Sequence, residues 1–193
     1  GRTINEKAVY RHWRSSGLKP AGPRAVGQPR RPHGQDVNGC HLCPSRGKDD
    51  VWAWDFIFDR TAEGRSLKWL SLIDEHTREC LALEARRRMT AEEIREIRAG
   101  VVAKRGVAPC RIRSDNGPEF VAAAIRSHLE SSGSRALHVA PGSPWQNGYA
   151  ESFHSKLRDE FLEREEFESP AQAQALADLW REEYNTERPH SSL

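Results

Sequence analysis

The sequence predicts an α/β domain built on a mixed five-stranded sheet with helices on both faces, preceded by a basic helical arm and linker. Three observations carry this prediction. Residues 51–58 form a short run that is apolar and aromatic on both faces, as a central strand must be. Three strand-like runs then follow one another across short turns, the pattern of an antiparallel meander. After the meander, strands alternate with amphipathic helices, which places helices over both faces of a sheet that is no longer purely antiparallel.

At 193 residues the chain has room for one sizeable domain and appendages, and six Trp and six Phe offset a polar composition with 30% charged residues. Residues 5–17 read as a short helix, with Asn5 as cap, Val9 and Trp13 on one face and Gly17 as its end. Arg11 and Arg14 lie on the remainder of that helix. Residues 19–49 are rich in Pro and Gly and read as a linker. Across 1–48, Arg2, Lys7, Arg11, Arg14, Lys19, Arg24, Arg30, Arg31, Arg46 and Lys48 face Glu6 and Asp36 alone. A basic arm on a nearly neutral body points to a polyanionic partner. The expected division is therefore 1–18 for the arm, 19–49 for the linker and 50–193 for the domain.

Within the domain, strands are expected at 51–58, 67–73, 80–85, 110–114 and 136–140. Helices are expected at 90–104, 118–131, 144–166 and 169–185. Thr90 caps the first of these, with Ile94, Ile97 and Val101 inward, although Arg98 and Gly100 make it an indifferent helix. Phe120, Val121, Ile125 and Leu129 form the inward side of the second. The third opens on Ser143-Pro144-Trp145-Gln146, an N-cap, a first-turn Pro and a capping-box Gln. The fourth carries Ala173, Leu176, Leu179 and Trp180.

No apolar run approaches the length of a membrane span and no signal-peptide pattern opens the chain. Four cysteines do not suggest a disulfide scaffold, so a reducing cytoplasm is expected. Cys40 and Cys43 form a Cys-x-x-Cys pair, half of a structural zinc site, but Cys80 and Cys110 stand apart in expected strands, and zinc is not expected.

Three carboxylates stand out. Asp55 lies inside the apolar first strand, where a lone charge is costly unless paired or metal-bound. Asp115 ends the fourth strand, and Glu151 sits near the N-terminus of the third helix, whose partial positive charge favours it. Taken singly, Asp115 before Asn116-Gly117 reads equally as a turn residue and Glu151 as a solvated helix residue. Together, three carboxylates on three rigid elements make a site for hard divalent cations.

The strand order with Asp, Asp and Glu in these places resembles the ribonuclease-H-like fold of retroviral integrases and their relatives. Ile112-Arg113-Ser114-Asp115-Asn116-Gly117-Pro118-Glu119-Phe120, then Pro141-Gly142-Ser143-Pro144-Trp145-Gln146-Asn147-Gly148-Tyr149-Ala150-Glu151-Ser152-Phe153, then Tyr184-Asn185 with Arg188-Pro189-His190, narrow the resemblance. They resemble the transposases of bacterial insertion sequences, in the group made from two overlapping reading frames that moves DNA through a circular intermediate. The resemblance covers residues 50–193, and the helix at 5–17 is similar to the end of that group's helix-turn-helix segment. The chain departs from the group in opening on Gly1 and ending at Leu193, where relatives continue, and in placing Arg98 and Gly100 in a helix that relatives build from apolar residues.

The resemblance implies that Asp55, Asp115 and Glu151 are catalytic and hold Mg²⁺ or Mn²⁺, two ions with DNA bound. It implies double-stranded DNA as partner, at both element ends and target, a homo-oligomer on DNA, and a bacterial cytoplasmic protein that meets the nucleoid. Asn116 and Asn147 are expected to orient ligands or phosphates around the carboxylates. Lys156 and Arg158 on the Glu151 helix, with Arg11 and Arg14 on the arm, are candidate DNA contacts. His190 reads as structural. Three functions stay open on this footing: a strand-transferring DNA transposase, a metal nuclease of the same fold, and an inactive DNA-binding remnant.

Overall fold

A computed structural model of the chain describes residues 43–115, 117, 120, 122–139 and 147–187, with residue 187 described by its backbone alone. The helix expected at 5–17, most of the linker, Cys40, Asn116, the Ser143–Gln146 cap and His190 lie outside the described residues.

The strands are β1 (Val51–Arg60), β2 (Ser66–Asp74), β3 (Cys80–Arg86), β4 (Arg111–Ser114) and β5 (Arg135–His138). The helices are α1 (Ala91–Arg105), α2 (Ala123–Ser131), α3 (Gly148–Leu157) and α4 (Pro170–Glu187). The sheet order is β3-β2-β1-β4-β5, with β1–β2 and β2–β3 antiparallel and β1–β4 and β4–β5 parallel. The expected meander and mixed sheet are both present.

Strand alternation sorts β1 between two cores. Ala53 and Ile57 join Trp69, Phe153, Phe161, Phe167 and Tyr184 under α3 and α4, while Trp52 and Trp54 join Leu70, Leu72, Ile94, Ile125 and Leu129 under α1 and α2. Burial on both faces is why its first four residues, Val51 to Trp54, are apolar without alternation. Asp55 belongs by parity to the α3 side, and so does its cross-strand partner Ser71.

Local chemistry sets the helix ends. Thr90 and Glu93 form a reciprocal capping box at the start of α1, and Gly106 ends it in the left-handed region at φ 73°. Ser169 Oγ accepts from Gln172 N at 3.2 Å where Pro170 opens α4.

Two expectations are corrected. Arg98 does not merely weaken α1. It is buried, and its guanidinium donates to Ser134 Oγ at 2.6 Å and meets His128 Nε2 at 3.1 Å, tying α1 to α2 and to the start of β5. The helix expected to reach 166 is α-helical only to Leu157 and continues as a π turn over Arg158–Leu162, closed by Glu163 N donating to Arg158 O at 2.9 Å. The wider turn brings Leu157, Phe161 and Leu162 into one core, where Phe161 packs on Trp69, Phe167 and Trp180.

Candidate active site

β1 and β4 run parallel with Ala53 opposite Arg113, so continuing that register by two residues brings Asp115 level with Asp55 on the same face. α3 lies over this face. Asn147, just before α3, donates from Nδ2 to Asp55 Oδ2 at 3.4 Å, and His154 Nδ1 stands 3.7 Å from the same oxygen. Glu151 lies four residues after Asn147 and three before His154, on the side of the helix that meets Asp55.

Electrostatics report the same convergence. The Asp55 carboxyl is pushed up to about 6, first by burial and then by the negative charges of Asp115 and Glu151, against a hydrogen bond from Phe56 N and the Arg158 charge. Asp115 and Glu151 are exposed. Arg158, also exposed at the π turn, is close enough for its charge to act on both Asp55 and His154. Lys156 is exposed on the same helix.

Asp115 is held by its own turn. Its Oδ1 accepts from Gly117 N at 2.9 Å, so the turn role and a ligand role coexist in one side chain. A Cβ on Gly117 would stand 2.9 Å from that Oδ1 and must displace it. Gly117→Ala is therefore expected to reduce any activity of the site by about 100-fold, the order of cost of an ångström-scale misplacement, with little change in melting temperature. Rates and thermal melts of the two proteins check this. Unchanged rates would show that the Asp115 carboxylate does not need this seat.

Neither His154 nor Ser71 stands out in the sequence. The structure makes them part of the Asp55 wall. His154 is buried, its Nε2 lies 2.8 Å from Ser71 Oγ, and burial followed by the Arg158 charge lowers its pKa to about 4. It is therefore neutral at pH 7, and its contact with Asp55 is not an ion pair. With Asp55 ionised, the consistent arrangement turns Nδ1–H toward the carboxylate and lets the Ser71 hydroxyl donate to Nε2. The available signal was positional: Ser71 pairs with Asp55 across the strands, and His154 follows Glu151 by three.

Hard carboxylate oxygens and a local excess of negative charge suit a divalent cation in chemistry. Among the described residues, however, no group of three or more His, Cys, Asp or Glu closes around a single ion. The donors fit in type and in location, and their spacing leaves most of a coordination shell to water and substrate.

Residues 45–144 match the family described as Integrase core domain, and residues 132–193 match a second family of that description. The chain is 35% identical over 98% of its length to the Insertion element IS476 uncharacterized 39.2 kDa protein of Xanthomonas euvesicatoria, covering 53% of that protein. It is 32% identical over its full length to the Insertion element IS407 uncharacterized 31.7 kDa protein of Burkholderia multivorans, covering 67%. It is 25% identical over 95% of its length to the transposase for insertion sequence element IS904 of Lactococcus lactis, covering 68%. The chain thus spans about half to two thirds of these relatives. Among solved structures it resembles the HTLV-2 integrase catalytic core domain in complex with magnesium, with TM-score 0.59 and 13% identity over 76% of this chain and 92% of that one. It also resembles the simian T-cell lymphotropic virus intasome in complex with PP2A regulatory subunit B56 gamma, with TM-score 0.55 and 20% identity over 67% of this chain and 45% of that one. At such identities the likeness shows the fold, which is ribonuclease-H-like. With over half its length matched and insertion-element relatives above 30% identity, the chain belongs to the integrase core domain family.

Proposed function

We propose that this chain is the catalytic core of a bacterial DNA transposase, which cleaves phosphodiesters at the ends of a mobile element and joins the freed 3′-hydroxyl to another strand in a metal-dependent reaction. The observation that carries the reading is the electrostatic convergence of Asp115 and Glu151 on the buried Asp55, on three separate elements of an integrase-family fold.

Two divalent ions, when bound, supply activation of the attacking oxygen and neutralisation of the leaving one. The residues of the chain do the rest. Asp55, Asp115 and Glu151 would hold the ions in place. Asn147 fixes the Asp55 carboxylate through its amide, while Ser71 and the neutral His154 wall it from behind. Arg158 faces the same region and is assigned to a substrate phosphate, which a guanidinium grips in two places. Asn116, Lys156 and the basic arm with Arg11 and Arg14 are assigned supporting contacts to double-stranded DNA. The domain from residue 50 onward is taken as the catalytic unit, acting as a homo-oligomer that holds paired ends in the cytoplasm. No helix among the described residues is long and apolar enough to cross a membrane.

The test is nicking and joining of a branched DNA substrate in Mg²⁺ or Mn²⁺ by the full chain and by Glu151→Gln. A branched substrate already holds the reacting ends together. Joining should fall by roughly a thousandfold or more in the variant, since a metal clamp supplies several kcal/mol and each 1.36 kcal/mol is tenfold. Nicking without joining would replace the transposase by a nuclease. Joining that survives in Glu151→Gln would remove Glu151 from the site.

A further inference from the structure

The end of the sheet that carries the carboxylates continues into a second surface. β3 runs in the same direction as β1, each antiparallel to β2, and β4 is parallel to β1. Arg60 and Arg86 therefore close the sheet at the end toward which β4 leads into Asp115, with Arg60 five residues beyond the level of Asp115, about 16 Å at ~3.3 Å per residue. Register sets Phe58, Lys68 and Arg86 in one row on the face that α1 and α2 cover farther back. In this row Lys68 is buried and Arg86 half-buried, while Phe58 stands open. Phe58 is 69% exposed, a large value for a phenylalanine in a strand. Its ring lies 6.5 Å from that of Phe56, and Lys68 Nζ stands 3.7 Å from the Phe56 centroid and 5.4 Å from that of Phe58.

The charges around it divide into two sets. Arg65 is paired with Glu63, and Arg86 with Glu84 and Glu93. Arg60 and Arg88 are exposed, and Arg87 is half-buried with NH1 donating to Ser66 O at 3.1 Å. Among the described residues no carboxylate pairs with Arg60, Arg87 or Arg88. The rim thus presents guanidinium groups without carboxylate partners beside an exposed aromatic ring. That combination suits a polyanion with hydrophobic base edges, where guanidinium groups grip phosphates and an apolar side chain leans into a groove.

We propose that this rim, formed by Phe58, Arg60, Arg87 and Arg88, is a docking surface for duplex DNA that leaves the carboxylates across the ends of β2 and β3. The proposal rests on the DNA reading above. Dimensions favour it. Phe58 is three strand residues beyond Asp55, about 10 Å at ~3.3 Å per residue, on the opposite face of the sheet, and β3 lies about 10 Å from β1 across two strand spacings. A duplex carries a phosphate charge every ~1.7 Å along its axis. One that reaches Asp55 and passes over the strand ends therefore meets Arg60, at the end of β1, and Arg87 and Arg88, just past the end of β3.

The test is binding of a labelled duplex to the full chain in EDTA across a salt series, which needs no catalysis. Arg60→Gln/Arg87→Gln/Arg88→Gln should bind at least 10-fold more weakly at low salt. Its slope of log affinity against log salt should flatten by about 2–3, at ~0.9 for each phosphate left without its guanidinium. Phe58→Ser should weaken binding several-fold with the slope intact. Lys104→Gln/Arg126→Gln/Arg135→Gln removes the same charge elsewhere and should leave the slope near that of the parent. Thermal melts confirm that each variant folds. An unchanged slope in the rim triple, as for a surface that takes an acidic protein instead, overturns the proposal, and so does equal flattening in the control triple. If the rim triple flattens the slope while the parent chain joins no strands, the surface stands and the transposase reading falls. If the parent joins strands and the rim triple binds like it, the surface alone falls.

Discussion

Asp55→Asn is expected to raise the melting temperature of the metal-free protein and to abolish metal-dependent strand joining. Both effects come from one placement. The Asp55 side chain is 20% exposed on a central strand, and its carboxyl is pushed up to about 6 by burial and by Asp115 and Glu151. A carboxyl whose folded-state pKa exceeds its unfolded value keeps its proton longer when folded, so ionisation opposes folding. The penalty is absent below the unfolded value near 4, grows as pH rises toward 6, and is fully present at pH 7. A two-unit shift corresponds to about 3 kcal/mol, on the order of 5 °C or more in a domain of this size. The introduced amide keeps an oxygen for Phe56 N, and Asn147 can turn its buried, unpartnered Oδ1 toward the new NH₂. Melts in EDTA should therefore show the variant more stable at pH 7, with the gap closing toward pH 4. Strand joining in Mg²⁺ should fall by about a thousandfold or more. A variant that melts lower at pH 7 would show that the carboxylate is not under repulsion, and one that still joins strands would take Asp55 out of the chemistry.

How legible this was in the sequence depends on the range of each interaction. A charge inside a doubly apolar strand, an Asp at a strand end and a Glu near a helix start are local patterns that nominate Asp55, Asp115 and Glu151 as a set, although Asp115 and Glu151 taken singly read equally as turn and solvated residues. The Thr90 cap and the inward faces of α1 and α2 are equally local. What the sequence left obscure needs the sheet register or the third dimension. Ser71 looks like any polar strand residue until it is paired with Asp55, and His154 becomes part of the wall only when α3 is laid on that face. Arg98 reads as a weak point in a helix because its partners, His128 and Ser134, come from the next helix and strand. The π turn is set by the aromatic core that Phe161 and Leu162 must both reach, which no helical periodicity encodes. The rim at Phe58 has the same origin, since only strand direction brings Arg60 and Arg86–Arg88 to the end where the carboxylates lie.

Arg113→Met is expected to destabilise the domain by about 3–5 kcal/mol, the cost of leaving one member of a buried ion pair alone. Arg113 Nε donates to Glu75 Oε1 at 2.6 Å with both side chains buried, and its NH2 donates to Cys43 O at 3.0 Å. The Glu75 carboxyl is raised, because burial outweighs the guanidinium beside it. Removal of the arginine would leave that carboxylate to choose between an unpaired charge and a proton. The melting temperature should fall by roughly 10 °C or more. Glu75→Gln/Arg113→Met should recover much of the loss, since it removes the stranded charge as well as its partner. The pair matters to the site through geometry. Arg113 stands opposite Ala53 and two residues before Asp115, while Glu75 N donates to Val51 O at 3.0 Å. The pair thus locks β4 and the β2–β3 turn to the start of β1, and with them the register that brings Asp115 level with Asp55. The double variant, assayed well below its melting temperature, should therefore join strands far better than Asp55→Asn. A single variant that melts within a degree of the parent would show that this register is held by the strand ladder alone.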